Sequence, residues 1–229
     1  MSGVSGRRRT ALLVGATGLV GGHCLRALLA DPEWVGVTTF TRRRIALSNP
    51  KLVARMVDFD RLGQLSGFPR VSDVFCCLGT TIARAGSQSE FYKVDFTYVT
   101  EAARLAAVSG ARQILLVSSV GADPSSHIFY SRVKGEVEEA VKRLPFDGIH
   151  IFRPSLLAGV RAERRAGERL GVGLASALSF ALVGPLRRYR PVPAADVARA
   201  MVAVARQDIR GAVVYESERI AEIAREART

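Results

Sequence analysis

The chain has 229 residues, 48% of them hydrophobic and 24% charged, with a formal charge of +12. That length fits one globular domain with a sizeable core, read as a cofactor core over about 10–154 and a small substrate-covering region over 155–229. Three cysteines make no disulfide framework, and the scattered His23, His127 and His150 lack metal-ligand spacing, which argues against a metal centre.

Cysteine usage points to a reducing compartment, taken as the cytoplasm. The positive charge comes almost wholly from arginine, because Lys51, Lys93, Lys134 and Lys142 are the four lysines. Arginine clusters at Arg7–Arg9, Arg42–Arg44, Arg161–Arg165 and Arg187–Arg190 follow no nucleic-acid-reading motif, so they read as solvated faces and predict no specific nucleic-acid partner. The N-terminal arginines precede no apolar segment of signal-peptide length.

In chain order, an apolar run ending near Val14 predicts the first strand. It leads into Gly15, Gly18 and Gly21, spaced every third residue at the mouth of a helical pattern over Leu19–Leu29. Such a turn needs one glycine for an unusual backbone angle, one for close approach of a pyrophosphate and one for helix–strand packing. Unpaired N–H groups at the helix start then face the phosphates. A ligand-free tight turn uses the same residues, but the strand-before, helix-after context favours a dinucleotide site.

Trp34–Phe40 reads as a second strand, followed by Thr41-Arg42-Arg43-Arg44 with no carboxylate. A carboxylate there would take the ribose 2′-hydroxyl of NAD; guanidinium groups instead fit the 2′-phosphate of NADP. The third strand, Lys51–Val57, runs into Asp58, which is placed either to meet the adenine edge or to cap a helix. Val71–Leu78 is a continuous apolar run suited to a central parallel strand, in which Cys76 and Cys77 act as core fillers. Gly79-Thr80-Thr81 follows, where a small residue lets a cofactor pass close to backbone.

Phe91–Val108 has helical periodicity, Gln113–Val117 is a fifth strand closed by Ser118-Ser119, and Ser131–Val141 is helical. Gly148–Phe152 gives a sixth strand. Beyond Pro154 the pattern loosens: Leu170–Leu186 is an apolar run too short for a membrane span, read as a buried helix or active-site cover, with peripheral membrane contact as the alternative. Val192–Val204 predicts a helix opened by Pro193 and Asp196, Ala212–Tyr215 a strand and Glu218–Ala227 a last helix. This alternation predicts an α/β fold, a Rossmann-type doubly wound parallel sheet with a small C-terminal covering extension.

Tyr130 and Lys134 are one helical turn apart, so phenol and ammonium share a face. A free tyrosine titrates near about 10, and a neighbouring cation favours the phenolate, bringing the value towards about 7. A strand-end serine would orient a carbonyl while tyrosine exchanges the proton during hydride transfer.

Taken together, the glycine turn, strand-end serine and Tyr130/Lys134 resemble the short-chain dehydrogenase/reductase superfamily. Cys76-Cys77-Leu78-Gly79-Thr80-Thr81, Ala85-Gly86, Lys93-Val94-Asp95, Ser118–Asp123, Lys134–Glu138 and Phe152-Arg153-Pro154 narrow the resemblance to the Tat-interacting-protein-like oxidoreductases, an atypical NADPH-binding branch. So does Arg161–Glu168, which is similar to that branch's R-x-E-x-R-x-G-E signature. The resemblance implies cofactor contacts from Gly15, Ala16, Thr17, Gly18, Leu19, Val20 and Gly21, from Arg42 and Arg43 at the 2′-phosphate, and from Leu78, Gly79 and Thr80. It further implies Tyr130 as proton donor, Lys134 as its partner, Ser119 facing substrate with Ser118 in reserve, and Arg153, Pro154, Ser155 and Leu156 beside the nicotinamide. One departure is Asp95, in a stretch where many superfamily members carry asparagine.

The activity implied is NADPH-dependent reduction of a carbonyl on a small or medium apolar substrate. Arg161 or Arg165 would bind an anionic group or else pair with Glu163 and Glu168. The alternatives are a cofactor-loaded sensor or scaffold acting on a protein partner and, less favoured because no long C-terminal substrate domain is evident, a nucleotide-sugar epimerase or dehydratase. The chain is expected as a monomer or homodimer.

Overall fold

A computed structural model describes residues 8–155, 157–158 and 191–228. Seven parallel strands form the main sheet: β1 (Arg9–Val14), β2 (Trp34–Thr41), β3 (Leu52–Met56), β4 (Asp73–Cys76), β5 (Gln113–Val117), β6 (Gly148–Arg153) and β9 (Gly211–Glu216). Their order is β3-β2-β1-β4-β5-β6-β9. Two further short strands, β7 (Leu157–Ala158) and β8 (Val192–Pro193), pair in parallel with each other. Helices cover both faces, giving the doubly wound, Rossmann-like sheet expected from the sequence.

Alternation along β1 shows why both faces are covered. Ala11 and Leu13 enter one apolar core, against α1 (Leu19–Ala30), α6 (Ala194–Arg206) and α7 (Ser217–Glu226). Leu12 and Val14 enter the other, against α4 (Tyr98–Val108) and α5 (Phe129–Lys142). All four side chains are fully buried, as the unbroken apolar run requires of a central parallel strand. The chain moves outward from β1 to β2 on one side and to β4 on the other, so the crossovers diverge between β1 and β4. Ligands of such sheets bind at that point, beyond the strands' carboxyl ends.

Among the boundaries that differ from the sequence expectation, three matter for the site and its surroundings. The fourth strand ends at Cys76, which releases Leu78, Gly79 and Thr80 from the ladder. The C-terminal helix begins at Ala194 rather than Val192, because Val192 and Pro193 pair with Leu157 and Ala158; Pro193 then stands at the N-cap with ψ 135°. The helix expected over Phe91–Val108 starts earlier, as α3 (Gln88–Tyr92), after the α2 turn (Ile82–Ala85), and passes through a π-helical turn at Lys93–Thr97 into α4. The Leu170–Leu186 run, the arginine clusters over 161–165 and 187–190, Glu163, Glu168 and Leu156 lie outside the described residues.

Candidate active site

The glycine turn fills the β1 side of the crevice. Gly15 has φ +88°, and a Cβ there would lie 2.4 Å from the Cys77 carbonyl oxygen, so the two strand ends meet at backbone distance. Gly21 packs α1 onto the turn, since its Cβ would fall 2.1 Å from the Gly15 oxygen. Between them Gly18 is the N-cap; its N–H donates to the Gly15 carbonyl at 2.9 Å. No side chain caps α1 and no acidic residue occupies its first turn, which leaves the positive end of the helix dipole open to a phosphate. Ala16 and Val20 are buried, while Thr17 is exposed and Gly18 and Leu19 are half-buried at the crevice.

Parallel pairing of β1 with β2 brings Arg42 and Arg43 to the same edge of the sheet. Both are exposed, and Thr41 Oγ1 donates to the Arg43 carbonyl at 2.8 Å, fixing the turn that carries them. Asp58 caps the 3-10 helix Phe59–Gln64 by accepting from the Asp60 N–H at 3.0 Å, the capping role left open by the sequence. The glycine cradle and the uncapped helix start fit the pyrophosphate of a dinucleotide, and two exposed guanidinium groups stand at the same edge of the sheet.

On the β4 side, Leu78, Gly79 and Thr80 cross above a buried ion pair absent from the sequence reading. Asp95, fully buried, accepts from the Thr80 N–H at 2.8 Å and meets Lys134 Nζ at 2.7 Å. Burial alone would lower the Lys134 ammonium, but the charge of Asp95, then that of Tyr130, outweigh it and hold it above the usual lysine range. A Cβ on Gly79 would lie 3.4 Å from Asp95 Oδ1 and 3.7 Å from Lys134 Nζ, in ordinary contact with both, so the turn crosses directly over the pair. Tyr130, half-buried one turn before Lys134, leans on the Phe91 ring at 5.4 Å between centroids.

The two serines after β5 separate clearly. Ser118 is buried and donates its hydroxyl to Glu138, whose carboxylate is gripped by Arg153 through Nε at 2.9 Å and Nη2 at 2.6 Å. Arg153 also reaches Glu216 at 3.3 Å. Its guanidinium is thereby committed to the protein. Ser119 is half-buried and has no partner of comparable strength among the described residues; its hydroxyl reaches the Val120 carbonyl across a long 3.4 Å. Pro154 and Ser155 border the same loop, Pro154 O accepting from Val120 N at 3.0 Å and Ser155 N donating to Ser217 Oγ at 2.7 Å.

Cys76 is buried, and burial pushes its thiol up to about 12; the hydrogen bond to Cys24, followed by burial, raises that of Cys77. Neither thiol is a ready nucleophile, as the core-filler reading expects. No helix among the described residues is long and apolar enough to cross a membrane.

Residues 11–215 match the family described as NAD dependent epimerase/dehydratase. "Protein fmp52, mitochondrial" of Emericella nidulans is 39% identical over 173 residues, spanning 72% of this chain and 74% of that protein. "Protein HTATIP2" of Rattus norvegicus is 38% identical over 168 residues, spanning 72% and 69% respectively. Among solved structures, an oxidoreductase of the short chain dehydrogenase/reductase family from Burkholderia thailandensis has a TM-score of 0.67 at 21% identity, covering 96% of this chain and 97% of its own. UDP-glucose 4-epimerase from Thermotoga maritima has a TM-score of 0.65 at 14% identity, covering 95% and 82%; at such identities the likeness is one of fold. The word "mitochondrial" in the fungal name belongs to that protein. The chain belongs to the NAD dependent epimerase/dehydratase family, in the branch of the Tat-interacting-protein-like oxidoreductases.

Proposed function

We propose that this chain is an NADPH-dependent reductase of a carbonyl on a small apolar substrate. The carrying observation is that α5 presents Tyr130 and Lys134 one turn apart, with Lys134 held by Asp95 directly beneath the cofactor-lining turn. Gly15, Gly18 and the start of α1 would hold the pyrophosphate, Arg42 and Arg43 the 2′-phosphate, and Lys134 the nicotinamide ribose. The cofactor, when bound, supplies a hydride to the carbonyl carbon. Tyr130 gives its hydroxyl proton to the carbonyl oxygen, and Ser119 donates a hydrogen bond to the same oxygen. Ser118 and Arg153 support the pocket wall through Glu138 without touching substrate.

A positioned general acid contributes roughly 10²–10⁴-fold to such a step. Tyr130→Phe should therefore lower NADPH oxidation with a panel of aldehydes and ketones by about that factor, while NADPH affinity stays near wild type. Equal turnover by Tyr130→Phe and wild-type protein would overturn the mechanism. Tight NADPH binding with no turnover on any carbonyl would favour a cofactor-loaded regulator of a protein partner instead.

A further inference from the structure

Asp95 stands where the main chain departs from regular helix. The π-helical turn Lys93–Thr97 inserts an extra residue between α3 and α4, and such insertions re-aim side chains. Here the turn sends a carboxylate inward: Asp95 is completely buried, yet both of its oxygens are engaged. Oδ2 accepts from the Thr80 main chain and Oδ1 meets Lys134 Nζ. Thus one side chain joins the β4 crossing, which lines the cofactor crevice, to the lysine on α5. Gly79 crosses directly over the pair.

The charges around Lys134 come from three elements. Asp95 faces it from the π-helical turn, Tyr130 from its own helix and Cys76 from β4. The Cys76 thiol is neutral at physiological pH. Asp95 and Lys134 together therefore carry no net charge, in a site where water does not screen them. An uncompensated ammonium one helical turn from a phenol would draw it towards phenolate, the form that takes a proton from an alcohol. A compensated one exerts a weaker pull.

We propose that Asp95 is the positioning residue of this site: it fastens Lys134 to the cofactor-lining turn and offsets the lysine charge, so that Lys134 pulls less on the Tyr130 proton than an unpaired ammonium would. The role of Tyr130 as proton donor rests on the reductase reading above, whereas the charge coupling can be measured without any substrate.

The test follows the ultraviolet phenolate band of Tyr130, obtained as the difference between each protein and its Tyr130→Phe counterpart across a pH titration. In Asp95→Asn, which keeps an acceptor for the Thr80 N–H, the band should appear about one pH unit lower than in wild type. A downward displacement under about half a unit would overturn the proposal. Should Asp95→Asn fail to fold with its lysine unpaired, the double variant Asp95→Asn/Lys134→Met removes both charges and avoids a buried orphan. Its band should lie within about half a unit of wild type, and a larger upward displacement would show that Lys134 acts on Tyr130 uncompensated. Failure of every carbonyl to turn over would defeat the reductase reading yet leave these titrations interpretable.

Discussion

Gly135 lies directly against Pro124: a Cβ on this helical glycine would stand 2.1 Å from the Pro124 nitrogen and 2.3 Å from the Asp123 carbonyl carbon. The absent side chain lets the loop after β5 seat on α5, which fixes Ser119 relative to Tyr130. Substituting Gly135→Ala should cost about 1–3 kcal/mol through overpacking, despite the better helix propensity of alanine. Carbonyl reduction should fall further than the loss of folded protein explains. Gly22→Ala in α1 is the control, because its Cβ would meet only the Ala16 oxygen at 3.6 Å. That variant should be neutral or gain up to about 1 kcal/mol. Equal denaturant midpoints for Gly135→Ala and wild type would show that the loop has room to move.

Cofactor choice can be tested at Arg42 and Arg43, which are exposed and adjoin the glycine turn through the β1–β2 pairing. A hydrogen bond to a charged group is worth about 1.5–3 kcal/mol. Replacing either arginine by alanine should therefore weaken NADPH binding roughly 10- to 100-fold while leaving NADH binding almost unchanged. Titration calorimetry with both nucleotides gives the ratio directly. Parallel losses for the two nucleotides would remove the 2′-phosphate assignment.

Most of the fold was legible because its signals are local. The alternation of apolar runs, turn residues and 3.6-residue periods located all seven strands of the main sheet, and the glycine spacing identified the turn whose contacts are now visible. Legibility was poorer where distant residues meet. Asp95 drew notice only as a substitution for asparagine; its partner Lys134 lies 39 positions onward, and the π-helical turn that aims the carboxylate inward has no period of its own. Likewise the Lys134–Glu138 stretch was recognised as a motif without its reasons. Lys134 binds Asp95, Gly135 admits Pro124, and Glu138 holds Ser118 and Arg153. Arg153 itself could be placed near the nicotinamide by resemblance, but its commitment to two carboxylates depended on contacts no spacing encodes.

Away from the cofactor crevice, Asp73 ties together the starts of four strands. Its carboxylate accepts from Arg9 at 3.2 Å, Trp34 Nε1 at 3.0 Å and Gln113 Nε2 at 2.7 Å, and Ser72 Oγ adds a fourth donor at 3.0 Å. Both Arg9 and Asp73 are buried, but Arg9 also pairs with Asp208 at 2.6 Å, so removing the Asp73 charge loses the charged hydrogen bonds of the knot without stranding the guanidinium. Asp73→Asn, which also turns one acceptor oxygen into a donor facing other donors, should destabilise the protein by about 1.5–3 kcal/mol in chemical denaturation. At temperatures where it remains folded, NADPH affinity should match wild type, because this knot lies at the opposite end of the strands from the glycine turn. A change in affinity without a change in stability would contradict both expectations.

Acid sensitivity should centre on His150, a fully buried residue of β6 whose Nδ1 lies 3.3 Å from the Tyr215 hydroxyl. Burial pushes its imidazole from 6.5 down to about 4, outweighing its hydrogen bond to the Ile209 backbone, which acts in the other direction. Above 6.5 the ring is neutral in both folded and unfolded chains, and stability does not depend on it. As pH falls from 6.5 towards 4, the unfolded chain binds a proton that the folded chain refuses, so the stabilising difference is lost progressively. The loss reaches at most about 3 kcal/mol. Half-buried His23 is lowered too, by burial and then by Arg26 and Arg199, but its contribution is common to wild type and a His150 variant. His150→Leu should accordingly show a shallower fall in unfolding free energy between pH 6.5 and 4 than wild type, whatever its stability at neutral pH. Parallel curves across that interval would mean that His150 does not set the acid limit.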